Sequence, residues 1–274
     1  MGQDVAFVDL TWRDRTVRIE HMWIAPQRTG QPLMVFLHEG LGSLAMWKDF
    51  PHQLCETLGC RGLVYSRPGY GQSTPRAADE VWGLDFMHRQ AHEVLPALLS
   101  ALHVDLRRDR LWLFGHSDGG SIALLFAAAC TQPLGGAIVL APHILVEDLS
   151  VASIELARQA YLETDLRERL SRYHKDPDSA FWGWNRIWLH PPFRRWTIEH
   201  EIGTITCPLL AIQGLDDPYG TLEQVHGISR RVPQARLCIL PECGHSPHRD
   251  QAAAVIAEVS AFVALQLQAC VFLP

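Results

Sequence analysis

Short apolar runs alternate with longer amphipathic ones along most of the 274-residue chain. Val5 to Leu10 and Thr16 to Ile24 alternate apolar and polar positions with a period of two, which predicts an opening hairpin. Leu33 to Leu37 is continuously apolar, as a strand buried on both faces requires. Gly62 to Ser66, Leu111 to Phe114, Ala137 to Ala141, Pro208 to Gln213 and Arg236 to Leu240 repeat that pattern. Helical patterns fill the gaps at about 44–59, 85–103, 117–131, 221–232 and 250–268. Eight strands interleaved with helices predict an α/β fold: a mostly parallel eight-stranded sheet flanked by helices.

The rhythm fails once. From Ile144 to Thr206 there is no strand pattern, only a long amphipathic run, Val151 to Tyr173, and a segment carrying Trp182, Trp184, Trp188 and Trp196. About sixty residues is too long for a loop. The reading is a core of 1–143 and 207–274, with a helical cap (lid) at 144–206 inserted after strand 6. Such a cap would lie over the strand ends, where sheets of this kind place their ligands.

Composition narrows the class. Apolar residues make up 47% of the chain, enough for a core without metal or disulfide staples. Lys and Arg number 24 against 30 Asp and Glu, a net −6 that argues against a nucleic-acid partner. The longest apolar run, Ile122 to Cys130, is about half a membrane span. Met1 to Leu10 does not read as a signal peptide, and Ala6 stands where a myristoylation pattern needs Ser or Thr. Cys270, fifth from the end, does not make a prenylation box. The 7 Cys are scattered without metal spacing and read as reduced thiols. The expectation is a cytoplasmic protein with a small-molecule substrate, no membrane partner, no cofactor and no metal. A homodimer is left open.

The sharpest chemical signal is Gly115-His116-Ser117-Asp118-Gly119, between a strand and the helical run Ser121 to Cys130. A serine on a tight strand-to-helix turn needs small neighbours, and that turn lifts its hydroxyl above the sheet as a nucleophile. A serine nucleophile needs a base, and the base an orienting acid. His245 follows the last predicted strand, and Asp216 and Asp217 follow the one before it. His248, three residues after His245, is expected to face solvent or cap the helix near Asp250.

In these residues and their order the chain resembles the α/β-hydrolase superfamily, in its capped, single-domain esterase-like branch. The resemblance spans nearly the whole length. It implies Ser117 as nucleophile, His245 as general base and, from the G-x-x-D frame set by Gly214, Asp217 rather than Asp216 as the acid. It further implies an oxyanion hole from the N–H of Asp118 and one from the His38-to-Ser43 loop, Gly40 first and Leu41 second. His38 is expected to brace that loop. Ser66 to Ser73 looks like the D-x-R-G-x-G-x-S turn of these enzymes, with Ser66 where Asp is usual.

Two departures bear on substrate. Glu39 stands where the family has Gly, and Asp118 resembles the S-D-G-G of amino-acid ester (valacyclovir-type) hydrolases. Two acids beside the nucleophile would favour a cationic substrate, unless both side chains turn away and brace their loops. His143 and the cap residues Trp184 and Trp188 are further candidate substrate contacts, although aromatics at that spacing also serve as cap core. The stretch from His143 to His190 is also similar to capped hydrolases of bacterial aromatic-compound metabolism. The expected reaction is cleavage of an ester or related acyl bond through an acyl-enzyme. The alternatives are C–C bond hydrolysis or a lyase step on the same triad, or a non-catalytic ligand receptor. A metal site drawn from His38, Glu39, His116 and Asp118 lacks ligand spacing. The Gly40-to-Ala45 loop lacks the acid that dinucleotide binding needs.

Overall fold

The computed structural model describes residues 4–77 and 79–271, with side chains as far as residue 268. The terminal expectations drawn from Met1 to Gln3 lie outside it, as does the side chain of Cys270. Eight strands form one sheet: β1 (Val5–Trp12), β2 (Arg15–Ile24), β3 (Leu33–Leu37), β4 (Arg61–Tyr65), β5 (Leu111–His116), β6 (Gly136–Leu140), β7 (Leu209–Gly214) and β8 (Arg236–Leu240). Their order is β1-β2-β4-β3-β5-β6-β7-β8. β1 pairs antiparallel with β2, and β2 with β4; every other pairing is parallel.

β3, β5, β6 and β7 are buried on both faces, whereas β8, at the sheet edge, is only partly buried; in β3 the period of two sorts the side chains. Leu33, Val35 and Leu37 enter one core, while Met34 and Phe36 enter the other. Helices α1 (Phe50–Leu58) and α10 (Ala252–Val271) cover the second face with Phe50, Leu54, Val255, Val259 and Phe262. The first face is covered by α2 (Phe86–Arg89), α3 (Leu95–Ala101), α4 (Asp118–Ala129) and α8 (Glu223–Arg231).

Three of the expected helices are broken where the chain changes direction. Lys48 adopts φ 54° between a 3-10 turn, Leu44–Trp47, and α1. A π turn, Gln90–Val94, joins α2 to α3 just before Pro96, whose missing N–H leaves a helical carbonyl without its usual donor. The last begins as α9 (Pro247–Asp250) and restarts as α10.

Between β6 and β7 the chain runs through α5 (Asp148–Glu163), α6 (Leu166–Ser171) and α7 (Pro177–Trp188), then 3-10 turns at Pro191–Arg195 and Glu201–Thr204. Asp176 caps α7 by accepting from the Ser179 N–H at 2.9 Å, with Pro177 in the first turn. The single bridge Leu145–Thr197 ties the start of this insertion to its end. The six cysteines whose side chains are described are free thiols. Among the described residues no helix is long and apolar enough to cross a membrane.

Candidate active site

The loops leaving the carboxyl ends of β3, β5, β6, β7 and β8 meet on one side of the sheet. The turn after β5 depends on its glycines. A Cβ on Gly115 would stand 2.3 Å from the Gly119 carbonyl oxygen, and one on Gly119 2.0 Å from that of Leu37. Strand and helix can therefore close on each other, and Ser117 takes φ 52°, ψ −121°. Such a left-handed conformation persists only where the surroundings over-determine it.

His245, from the loop after β8, brings Nε2 to 2.9 Å from the Ser117 Oγ. Its Nδ1 lies 2.9 Å from both carboxylate oxygens of Asp217, after β7. Asp216 is exposed and stands apart. Burial pushes the Asp217 carboxyl up, but the hydrogen bond and charge of His245 and the Tyr219 N–H bring it below its ordinary range. Burial lowers the His245 imidazole, against the pull of Asp217. A carboxylate therefore orients a neutral base beside a serine hydroxyl.

Two residues of this arrangement have no motif in the sequence. Gln213, fully buried at the end of β7, donates from Nε2 to Asp217 Oδ2 at 2.6 Å. Tyr219 donates its main-chain N–H to Asp217 Oδ1 at 2.8 Å and packs its ring 4.7 Å from that of His245. A glutamine inside an otherwise apolar strand was the one signal available for the first.

The loop after β3 is braced from behind. His38 accepts from the Arg67 N–H at 3.0 Å through Nε2, and its Nδ1–H donates to the Glu39 carbonyl at 2.7 Å. Among the described residues, no main-chain carbonyl accepts from the N–H groups of Gly40, Leu41 or Asp118. The insertion holds this loop too: His174 Nε2–H donates to the Leu41 carbonyl at 3.0 Å, and its Nδ1 accepts from Gly71 at 3.0 Å. A Cβ on Gly40 would sit 2.2 Å from the Trp184 Nε1, so this position needs glycine.

Glu39 and Asp118 both border the site, and both are engaged. Glu39 Oε1 takes the Arg249 guanidinium at 3.0 Å, and its Oε2 faces His116. Asp118 Oδ1 accepts from the Trp188 indole at 3.2 Å, while Oδ2 is buried without a partner. Burial pushes the Asp118 carboxyl up to about 6, against the charge of Arg67. His143 is buried beside the Trp188 ring, 4.9 Å away, and burial takes it down to about 3, so it stays neutral. The expectation that His248 faces solvent is overturned. It is 2% exposed, packed 4.8 Å from Trp47 and 5.5 Å from Phe50, because the short α9 turns it inward.

Over Ser117 lies a cavity of about 120 Å³ walled by Leu41, Ile154, Trp184, Trp188 and Tyr219. Among the described residues neither Lys nor Arg lines it, and no group of His, Cys, Asp and Glu could hold a metal ion.

The sequence profile of the alpha/beta hydrolase family matches residues 34–259, the span that carries all of these loops. The chain belongs to this family. Among curated relatives of this hydrolase, the 2-hydroxy-6-oxo-6-phenylhexa-2,4-dienoate hydrolase of Burkholderia cepacia is 24% identical over 239 residues, 77% of this chain and 80% of the relative. The 2-succinyl-6-hydroxy-2,4-cyclohexadiene-1-carboxylate synthase of Enterobacter sp. is 26% identical over 268 residues, 88% and 95% of the two chains. In fold the hydrolase is similar to a carboxylesterase structure from Nitrososphaera gargenis, with TM-score 0.76, 16% identity and 95% and 99% coverage. A thermophilic esterase from Thermogutta terrifontis gives TM-score 0.72, 18% identity and 96% and 99% coverage.

Proposed function

We propose that this hydrolase is a serine esterase that cleaves the acyl bond of a small, uncharged substrate through an acyl-enzyme. The observation that carries the reading is the unbroken line Asp217–His245–Ser117, with both links at 2.9 Å. His245 takes the Ser117 proton as Oγ attacks the carbonyl, and Asp217 holds the imidazole in the tautomer that can do so. The N–H groups of Asp118 and of Gly40 or Leu41 receive the oxyanion. Water then clears the acyl-enzyme with His245 as base again. Residues 144–206 act as the lid that shapes the acyl pocket.

Size and charge narrow the substrate. A cavity of about 120 Å³ is small beside the roughly 300–1,000 Å³ of pockets for drug-sized ligands, room for a short acyl group. Its acids are not free to select a cation, since Glu39 is paired with Arg249 and Asp118 with Trp188.

The second reading is C–C bond hydrolysis on the same triad, favoured by the dienoate hydrolases among the relatives. Against it, neither Lys nor Arg among the described residues lines the cavity to receive the carboxylate of such a substrate. The deciding experiment compares 4-nitrophenyl acetate, an aminoacyl ester of similar size and a 2-hydroxy-6-oxo-dienoate, with wild type and Ser117→Ala. Turnover of the neutral ester is expected, with kcat falling by several orders of magnitude in the variant. Preferred turnover of the dienoate would favour the second reading. Ester turnover independent of Ser117 would remove both.

A further inference from the structure

The residue before the nucleophile is a histidine that the triad does not use. His116 closes β5, is 1% exposed, and packs its ring 5.2 Å from that of His245 and 4.7 Å from that of His248. Its Nε2 lies 2.6 Å from the main-chain carbonyl oxygen of His245. A carbonyl oxygen only accepts, so Nε2 carries a proton. Nδ1 then faces Glu39 Oε2 at 3.5 Å, an ion-pair separation longer than a well-made hydrogen bond. A carboxylate also only accepts. A lone pair on Nδ1 would oppose it, whereas a proton there makes both contacts favourable.

Glu39 is fixed from its far side. Arg249 Nη2 reaches both Oε1, at 3.0 Å, and the Met46 carbonyl, at 3.1 Å. A Cβ on Gly42 would stand 2.4 Å from Oε2, so the loop is glycine where the carboxylate passes. Burial pushes the Glu39 carboxyl up, but His116 and Arg249 together hold it well below its ordinary range.

We propose that His116, protonated on both ring nitrogens, is a positioning residue that ties the Glu39 carboxylate to the main chain of His245 and so fixes the base over Ser117. This rests on the triad reading above. Three loops meet in the one contact: the loop after β3, the nucleophile turn and the loop after β8. A ring protonated on both nitrogens is also a positive charge. The titratable and charged groups around it are Glu39, Asp118, His143, His245, His248 and Arg249. Burial first, and then His116, disfavours a proton on His245 and keeps it a base.

Labelling of Ser117 by a fluorophosphonate reads the base without any knowledge of the substrate. Wild type should label at a rate that rises with pH to a plateau, and Ser117→Ala should not label. An unlabelled wild type overturns the triad reading itself, and this proposal with it. In a labelled wild type, His116→Gln keeps a donor toward the His245 carbonyl but loses the charge. Its plateau should stay within about threefold of wild type, with the midpoint moved up by roughly half a pH unit or more. His116→Leu loses both and should label at least about tenfold more slowly on the plateau. Wild-type behaviour in both variants, or equal slowing with an unmoved midpoint, overturns the proposal. Long-range ¹H–¹⁵N spectra of the folded wild type, at plateau pH, need no variant. They should show protons on both His116 ring nitrogens, and a bare Nδ1 overturns it.

Discussion

Ser66 occupies the position where related turns carry an aspartate, and the carboxylate it lacks arrives from the sheet. Glu20 of β2 accepts from the Ser66 hydroxyl at 2.6 Å and from the Gln72 N–H at 2.9 Å. The same hydroxyl oxygen accepts from the Leu44 N–H at 2.9 Å. Gly71 is glycine for this reason, since a Cβ there would stand 2.1 Å from Ser66 Oγ and 2.3 Å from Glu20 Oε2. Restoring the usual residue should therefore harm the protein. Ser66→Asp sets two carboxylates against each other where Glu20 is 5% exposed and Ser66 fully buried, and burying an uncompensated charge ranks among the large single-site effects. A loss of roughly 3 kcal/mol is expected, a Tm drop on the order of 10 °C. Most of it should return in Ser66→Asp/Glu20→Gln, whose amide can donate to the new acid. Thermal melts of the single and double variants decide it; an undisturbed Ser66→Asp would mean that Glu20 does not do the work of the absent aspartate.

At the scale of elements, the inserted segment and the loop after β3 behave as one unit. α7 brings Trp188 onto Asp118 and Trp184 against Gly40, while His174 grips the Leu41 carbonyl. Gly40→Ala tests that unit. The new methyl would overlap the Trp184 indole, a rigid ring 6% exposed and itself packed on Phe181, so the loop must give way instead. On the proposed reading this loop supplies an oxyanion donor, whose displacement costs about 3 kcal/mol of barrier, so kcat/KM should fall by roughly 100-fold or more. Gly40→Ala/Trp184→Phe, which removes the overlapping Nε1, should recover much of it. Additive losses in that double-mutant cycle would show that the two positions do not communicate.

These dependences also mark what could be read from the chain. Most strands were legible because a strand buried on both faces must be apolar throughout, and the loops that bring Ser117, Asp217 and His245 together because each follows a strand. Helix ends were less so: the break at Lys48 and the π turn before Pro96 interrupt runs whose periodicity reads as continuous helix. Glu20, His116, His174 and Gln213 were illegible as working residues, since each acts on a loop distant in sequence or through a main-chain group.

Across the whole molecule, burial of histidine is the repeated electrostatic choice. His38, His143 and His248 are each 3% exposed or less. Burial is the first cause that pulls each below its ordinary range, His143 to about 3. The unfolded chain, with ordinary imidazoles near pH 6.5, takes up protons before the folded one does. Each such histidine thus contributes stability that is whole above about pH 6.5 and declines as pH falls, by up to about 1.4 kcal/mol per unit. Asp118 works in the opposite sense. Raised to about 6, it adds stability that is complete below the ordinary carboxylate range, near pH 4, and gone above its folded value. One such acid against these histidines, together with His174, His245 and the lowered carboxylates of Glu39 and Asp217, leaves the balance acid-labile, with stability highest above about pH 6.5. His248 offers the sharpest test, because neither of its nitrogens finds a partner among the described residues. His248→Phe keeps a flat ring against Trp47 and Phe50 and removes a buried polar group. Its unfolding free energy should exceed that of wild type by about 1 kcal/mol at pH 7.5. The gap should widen with each step down to pH 5, as wild type alone pays for a proton it cannot accept there. Denaturant melts of the two proteins at pH 7.5, 6.5, 5.5 and 5.0 measure it; parallel stability curves would mean that His248 is charged, or solvated, in the folded state.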